Sequence, residues 1–546
     1  MEERKINKWQ PLIYAGLLAA GVAGGFMLQG NKGGFTLTGN SKIDHVMSLI
    51  NKEYVDTVDD ERLAEIAIEQ MLHDLDPHSN YIPAAELTAV NEQLQGNFEG
   101  IGVEFNLLND TIFIATVLPE GPSEKAGIMP GDRIIKVNGE TVAGVNISNN
   151  DVIKKLKGTK GTKVEVELKR TGMKGLLKYT IVRDRIPLKS VDIAYMINPT
   201  TGYLKVNSFA KDTYDELKAG LDKLKKEGME SLVLDLRGNP GGYLHAATMI
   251  TSEFLGEGKL MVYTEGRNQK KKEYVTDRAG EFTEGKLVIL VDEGSASASE
   301  IVSGAVQDWD RGIIVGRRSY GKGLVQESFN LSDGSAVRLT IARYYTPTGR
   351  SIQKPYDEGY DTYEAEVGER LKGGELDHPD SVKKNEKMVF KTPAGRKVYG
   401  GGGIYPDVFV PVDSAIHTEL MTHIYRNGLA TRLAYQYADN NRDALKKTYK
   451  DAQDFGKRFD FSSQLEGKLR QMLADAHITY SAAEFDASRK LIANQAKALI
   501  ARQIYGKEAY YQVLNQGDVV FNTALKALAE YDAVLKGTAK TAMNRK

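Results

Sequence analysis

Two short apolar runs constrain this chain more than any other feature. SLVLDL (231–236) and LVILVD (287–292) are rich in Leu, Ile and Val, and each stops at a turn of small residues. Runs of this length and composition form strands buried inside a parallel sheet, which calls for an α/β core. Gly238, Asn239, Pro240, Gly241 and Gly242 build the turn after the first run, and Gly294 to Ala298 the turn after the second. Beyond the second turn, Ile301, Val302, Ala305, Val306 and Trp309 repeat at helical spacing, so Ser297 stands where a strand gives way to a helix. Unpaired first-turn N–H groups and the positive end of the helix dipole favour negative charge at that point.

Ser297 has two readings. A hydroxyl in front of a helix is a favoured N-cap, and for a lone serine the cap is the ordinary explanation. The segment YGKGLVQ (320–326) adds an amine, Lys322, and an amide, Gln326. A serine hydroxyl is a weak nucleophile until a base takes its proton, and lysine serves as that base once apolar surroundings lower its pKa. The glycine turn at 238–242 taken alone is a tight β–α connection. It can also aim backbone N–H groups at a carbonyl oxygen, and paired donors of that kind contribute about 3–4 kcal/mol to transition-state stabilisation. Together the three segments read as a Ser–Lys hydrolase.

Upstream, GIGVEF (100–105) supplies a glycine turn and an alternating strand, and IFIATVL (112–118) a second strand. SEKAGIMPGDRIIKVNGE (123–140) gives a short helix, a Pro-Gly turn and a strand ending at Asn-Gly. Val152–Leu156 is expected to flank a groove and VEVEL (164–168) to close the module. Its rival reading is a small β-rich domain without a ligand.

In this order, a PDZ-like segment, DLRGNPGG, GSASASE and GKGLVQ resemble the carboxy-terminal processing proteases, also called tail-specific proteases. The similarity covers roughly residues 41–412. The resemblance implies that Ser297 is the nucleophile, Lys322 the general base and Gln326 the residue that orients it, with the amides of Gly242 and Ala298 as the oxyanion hole. It further implies a peptide site at Gly100, Ile101, Gly102 and Val103, whose N–H groups capture a chain-terminal carboxylate while the peptide adds as an edge strand. Protein substrates with accessible C-terminal tails are the expected partners.

Composition narrows the alternatives. Lys+Arg 72 against Asp+Glu 73 gives no reason to expect nucleic acid. The absence of cysteine excludes disulfides, thiol catalysis and cysteine–zinc sites. His45, His73 and His78 lack metal-ligand spacing and read as surface or packing residues. GRRSYGKG (316–323) nearly fits a phosphate loop, but Gly323 stands where a hydroxyl should hold magnesium. No metal or cofactor is therefore expected. A Ser–His–Asp arrangement through His245 and Asp235 remains open, as does a membrane-anchored peptide-binding protein with an inert hydrolase core.

The expected fold is multidomain, α/β and α+β. Residues 1–40 read as a signal anchor and tether: between Lys8 and Lys32 runs an uncharged stretch about as long as the roughly 20 residues of a spanning helix, with Arg4, Lys5 and Lys8 before it. A cleaved signal peptide is the alternative, and either one places the rest outside the cytoplasm: on the periplasmic face of the inner membrane if anchored, secreted to the periplasm if cleaved. Residues 41–95 form a helical region, 96–185 the PDZ domain, 186–412 the protease core with an exposed insertion at 356–387, and 413–546 a helical region with no assigned chemistry. A homodimer or an adaptor contact is left open.

Overall fold

The computed structural model describes residues 41–413, 416 and 418–538. The expected anchor and tether at 1–40 lie outside the described residues. Among those described, no helix is long and apolar enough to cross a membrane. The chain divides into two units between Met71 and Leu72. In the first, helix Ser41–Glu53 and most of helix Asp60–Leu75 form, as the spacing of Ile43, Val46 and Ile50 and of Leu63, Ile66 and Met71 predicts.

In the second unit, strand Asn80–Ile82 and helix Ala84–Gln95 lead into the β-rich module. Its sheet runs in the order Val103–Leu107, Ile112–Val117, Arg133–Val137, Lys163–Lys169 and Leu177–Val182, with Glu140–Thr141 beside the third strand. Helix Asn149–Leu156 buries Val152 and Leu156 in the same apolar cluster as Ile101, Ile114 and Val166. An antiparallel ribbon, Asn97–Gly100 with Asp184–Pro187, carries the chain into and out of the module.

The α/β core is a six-stranded sheet in the order Val191–Asn198, Thr201–Val206, Ser231–Asp235, Lys286–Val291, Ile313–Gly316 and Val408–Phe409. All neighbours are parallel except the first pair. Side chains alternate across a strand, and both faces are covered. Leu232 and Leu234 pack towards Leu217, Ile250 and Ile301. Val233 packs on the opposite face, with Phe521, Ala524 and Leu528. A second sheet holds the hairpin Leu324–Asn330 with Ala336–Tyr345, flanked by Asn80–Ile82 and Leu260–Glu265.

Two expectations change. SAVRLTIARYYTPTGRSIQ (335–353) reads as a strand pair, whereas Ala336–Tyr345 is a single long strand, followed by a turn that returns Ser351 to bridge Tyr345. Residues 356–387 are not simply an exposed insertion: helix Tyr360–Lys372 buries Tyr363 and Arg370. The Arg370 guanidinium donates to the carbonyls of Arg318, Ser319 and Tyr320, fastening the loop that leads to Lys322.

The region after Asp413 is helical as expected, and it is packed into the rest of the chain. The Tyr435 ring stacks on Phe113 at 5.0 Å, Asp439 pairs with Arg133 at 3.1 Å, and Arg502 pairs with Glu104, all on the β-rich module. Helices Val519–Ala529 and Tyr531–Leu535 lie on the core sheet. Asp518 caps the first of them through Phe521 N–H and accepts Arg237 Nη1 at 2.6 Å.

Candidate active site

Ser297 occupies the N-cap position of helix Ala298–Asp308 with φ +53°, a positive value that is uncommon for a side-chain-bearing residue. The strain is held by its surroundings. Ser297 N–H donates to Glu300 Oε2 at 2.8 Å. The fully buried Glu300 carboxylate also accepts Ser319 Oγ at 2.5 Å, Gly321 N at 2.7 Å and Lys322 N at 2.9 Å. One side chain thus ties the serine turn to the lysine loop. Burial pushes the Glu300 carboxyl up to about 7, against the pull of these four donors. The Tyr344 hydroxyl, also buried, lies 3.1 Å from Ser297 O and within hydrogen-bonding distance of Lys322 O, adding a second link between the same two segments.

Lys322 lines the same cavity as Ser297, a cleft of about 860 Å³ that also takes in Gly241, Gly242, Ala298 and Gln326. Its Nζ donates to Gln326 Oε1 at 2.7 Å. Burial, and next the nearby charge of Arg338, lower the lysine to about 8. The Gln326 amide is fixed in turn, because its Nε2 donates to the carbonyl of His78. A carbonyl accepts only from the nitrogen, so this bond keeps Oε1 turned to the lysine.

The glycine turn lies against the serine. A Cβ on Gly241 would sit 2.8 Å from Ser297 Cβ and 2.9 Å from Ala298 N, so nothing larger fits. Gly242 takes φ +147° beside Phe209, whose carbonyl accepts Tyr243 N–H at 2.7 Å and whose N–H donates to Gly241 O at 2.9 Å. No described residue accepts from the N–H of Gly242 or of Ala298. Two backbone donors thus stand without acceptors at the mouth of the serine turn.

The expected residues Ser297, Lys322, Gln326, Gly242 and Ala298 meet in this one cleft. His245 lines it too, but no hydrogen bond joins it to Asp235. Asp235 is buried and held by Tyr203 at 2.8 Å and by Arg237 at 2.6 Å, whose charge keeps its carboxyl well below the usual range. The Ser–His–Asp alternative therefore has no geometry here. Gly100–Val103 lies apart, at the entry to the β-rich module, where Gly102 turns with φ +76° between the ribbon and the first strand. Sequence reading misses Glu300, although the spacing Ser297-x-x-Glu300 is a capping-box signature that could have found it. It also misses the His78 contact, which is made by a main-chain atom and leaves no residue-type signal. His78 is indeed a packing residue: its ring bonds Tyr363 at 2.7 Å, and burial, then Lys322, hold it down at about 3, so it is neutral.

A parallel-sheet hydrolase core with a serine at a strained strand-to-helix turn, joined to a β-rich module, defines a class of peptidase. The sequence profile of peptidase family S41 matches residues 200–359, that of the PDZ domain residues 89–169, and that of the activating protease CtpB N-terminal domain residues 28–85. Residues 420–506 match a family of unknown function. The carboxy-terminal-processing protease of Bartonella bacilliformis is 36% identical over 345 residues, which cover 60% of this chain and 78% of that protein. The carboxy-terminal processing protease CtpB of Bacillus subtilis is 37% identical over 57% of this chain; the match spans 65% of the relative, just under two thirds of its length. The photosystem II D1 C-terminal processing protease, a solved structure, is 26% identical over 69% of this chain and 88% of its own, with a TM-score of 0.34. The chain belongs to the carboxy-terminal processing proteases, serine-type peptidases of family S41 that carry a PDZ domain.

Proposed function

We propose that this chain is an extracytoplasmic endopeptidase that selects proteins by their C-terminal tails and cuts them with a Ser297–Lys322 dyad. The observation that carries the reading is the half-buried Lys322 amine, bonded to Gln326 Oε1 and sharing one cleft with Ser297. Neutral Lys322 donates one hydrogen to Gln326, which leaves its lone pair for the Ser297 hydroxyl proton. As that proton moves to Nζ, Oγ bonds the scissile carbonyl carbon and the carbonyl oxygen gains negative charge, received by the N–H groups of Gly242 and Ala298. The ammonium then gives its proton to the departing amine. Water, deprotonated by the same lysine, releases the acyl group as a carboxylate.

The PDZ domain at 96–185 supplies the tail-reading part of this proposal, with the N–H groups of Ile101, Gly102 and Val103 receiving the terminal carboxylate. The protease core at 186–412 supplies the chemistry. An anchor in the uncharged stretch before Lys32 would hold both on the far side of the membrane. One peptide made with a free and with an amidated C-terminus tests tail reading on the full chain. Faster cleavage of the free form is expected, and equal rates would remove the role given to the glycine loop.

The dyad also fixes a pH dependence. Only neutral Lys322 accepts the serine proton, and its pKa of about 8 lies below that of a free lysine. Activity is therefore lost as pH falls through 8 and levels off above it, with kcat/KM rising about tenfold between pH 7 and pH 9. A peptide without titratable side chains makes the measurement clean. An optimum on the acid side of neutrality would contradict the lysine base.

A further inference from the structure

The cleft holds a cation, Arg338, whose charge helps to lower Lys322 but whose guanidinium has no ligand in the dyad mechanism. Arg338 lies on strand Ala336–Tyr345 opposite Ser328, while Gln326 lies opposite Thr340. Residues two apart share a sheet face, so Arg338 projects on the side of Gln326, one register step from the amide that holds Lys322. Its side chain lines the cleft and is half-buried, yet it makes no hydrogen bond or ion pair with any described residue. Other buried arginines behave differently: Arg318 meets Glu375, Arg350 meets Asp308, Arg370 meets Glu366 and Arg396 meets Asp310. A guanidinium presents five donors and never deprotonates at working pH, so withdrawing it from water without an acceptor is costly. Within the cleft only the neutral hydroxyl of Tyr243 favours its charge. Lys272 adds positive charge, and the one carboxylate in the lining, Glu327, is exposed.

We propose that Arg338 binds a carboxylate of the chain being cut, which makes it a specificity residue for substrates acidic near the scissile bond. The proposal rests on the proteolytic reading of the same cleft. A carboxylate matches the guanidinium fork with two parallel hydrogen bonds, and Lys272 adds a further charge at the rim. The carboxylate can come from an Asp or Glu side chain or from the main-chain terminus of a short tail. The two sources are chemically alike at Arg338 and differ in what removes them.

The test uses the full chain carrying Ser297→Ala, which binds without turnover, and fluorescent peptides read by anisotropy. Glu is placed in turn at each position flanking the cut, with Gln as its partner, and each peptide is made with a free and an amidated C-terminus. Glu at one position is expected to tighten binding by about tenfold or more over Gln. Adding Arg338→Gln should abolish that difference, and Arg338→Glu should reverse it in favour of a peptide carrying Lys at the same position. If amidation rather than Glu→Gln carries the effect, and Arg338→Gln removes it, the terminal carboxylate is the ligand. An amidation penalty that survives Arg338→Gln belongs to the glycine loop at 100–103, and as the only preference seen it would overturn the proposal. Equal binding of all peptides, or a Glu preference untouched by Arg338→Gln in a variant with unchanged thermal melting, would overturn it too. Because binding is read without cleavage, failure of the Ser297-bearing chain to cut any peptide would sink the dyad and leave the carboxylate preference separately measurable.

Discussion

Ser297→Ala is expected to lower kcat/KM for peptide hydrolysis by about 10⁴-fold or more, with the fold unchanged, because it deletes the only atom that bonds the substrate carbon. Lys322→Ala should match it. Lys322→Arg should do no better, since a guanidinium stays protonated and cannot take the serine proton. Gln326→Ala should lose less: the amine survives but its lone pair is no longer aimed. Purified variants assayed on one quenched peptide at pH 9 decide the matter. Turnover near the wild-type rate by the Ser297→Ala protein would end the assignment, and a Gln326→Ala loss as deep as that of Lys322→Ala would mean that the amide does more than orient.

The next largest effect is expected at Glu300. Its carboxylate receives four donors from the serine turn and the lysine loop in a site without water access. Glu300→Gln keeps the shape but puts an NH₂ group where an oxygen accepts, so at least one buried donor faces another. Leaving one such donor unsatisfied costs roughly 1–3 kcal/mol. The relaxation that relieves it moves Ser297 relative to Lys322. A drop in kcat of about 10²-fold, with a smaller change in KM, is expected while circular dichroism remains native. Glu300→Ala, which orphans all four donors, should in addition lower the melting temperature. A Glu300→Gln enzyme with wild-type kcat would show that the two segments are held in register by other contacts.

The parts of this protein that were legible in the sequence are those whose cause is local. Apolar runs such as LVILVD announce buried strands by themselves, and the turns around Ser297 and Gly241 announce their close approaches by small residues. The grouping of Ser297, Lys322 and Gln326 was legible because each sits beside such a signal. What stayed hidden depends on distant partners. Helix Tyr360–Lys372 is charged overall, and only the meeting of Arg370 with three carbonyls of another loop makes it internal. The helices after Asp413 show amphipathic spacing but not the surface they cover. The peptide carbonyl of His78 carries a contact that no side chain encodes, and Arg338 looks like any strand-borne arginine until its lack of a partner is seen in place.

The helices that cover the core sheet carry a consequence for how the enzyme comes into being. Arg237, at the root of the glycine turn, finds its partner Asp518 across 281 residues of chain, and Glu104 of the PDZ domain finds Arg502 across 398. Contacts so distant in sequence form slowly, because loop closure must be met before they reward it. During synthesis the strands bearing Val233, Val288 and Leu290 emerge well before the helix bearing Phe521 and Ala524 that shields them. A nascent or truncated polypeptide therefore has an uncovered sheet and an unsecured glycine turn. A chain that ends before Phe521 is expected to expose the sheet face bearing Val233, Val288 and Leu290 and to aggregate.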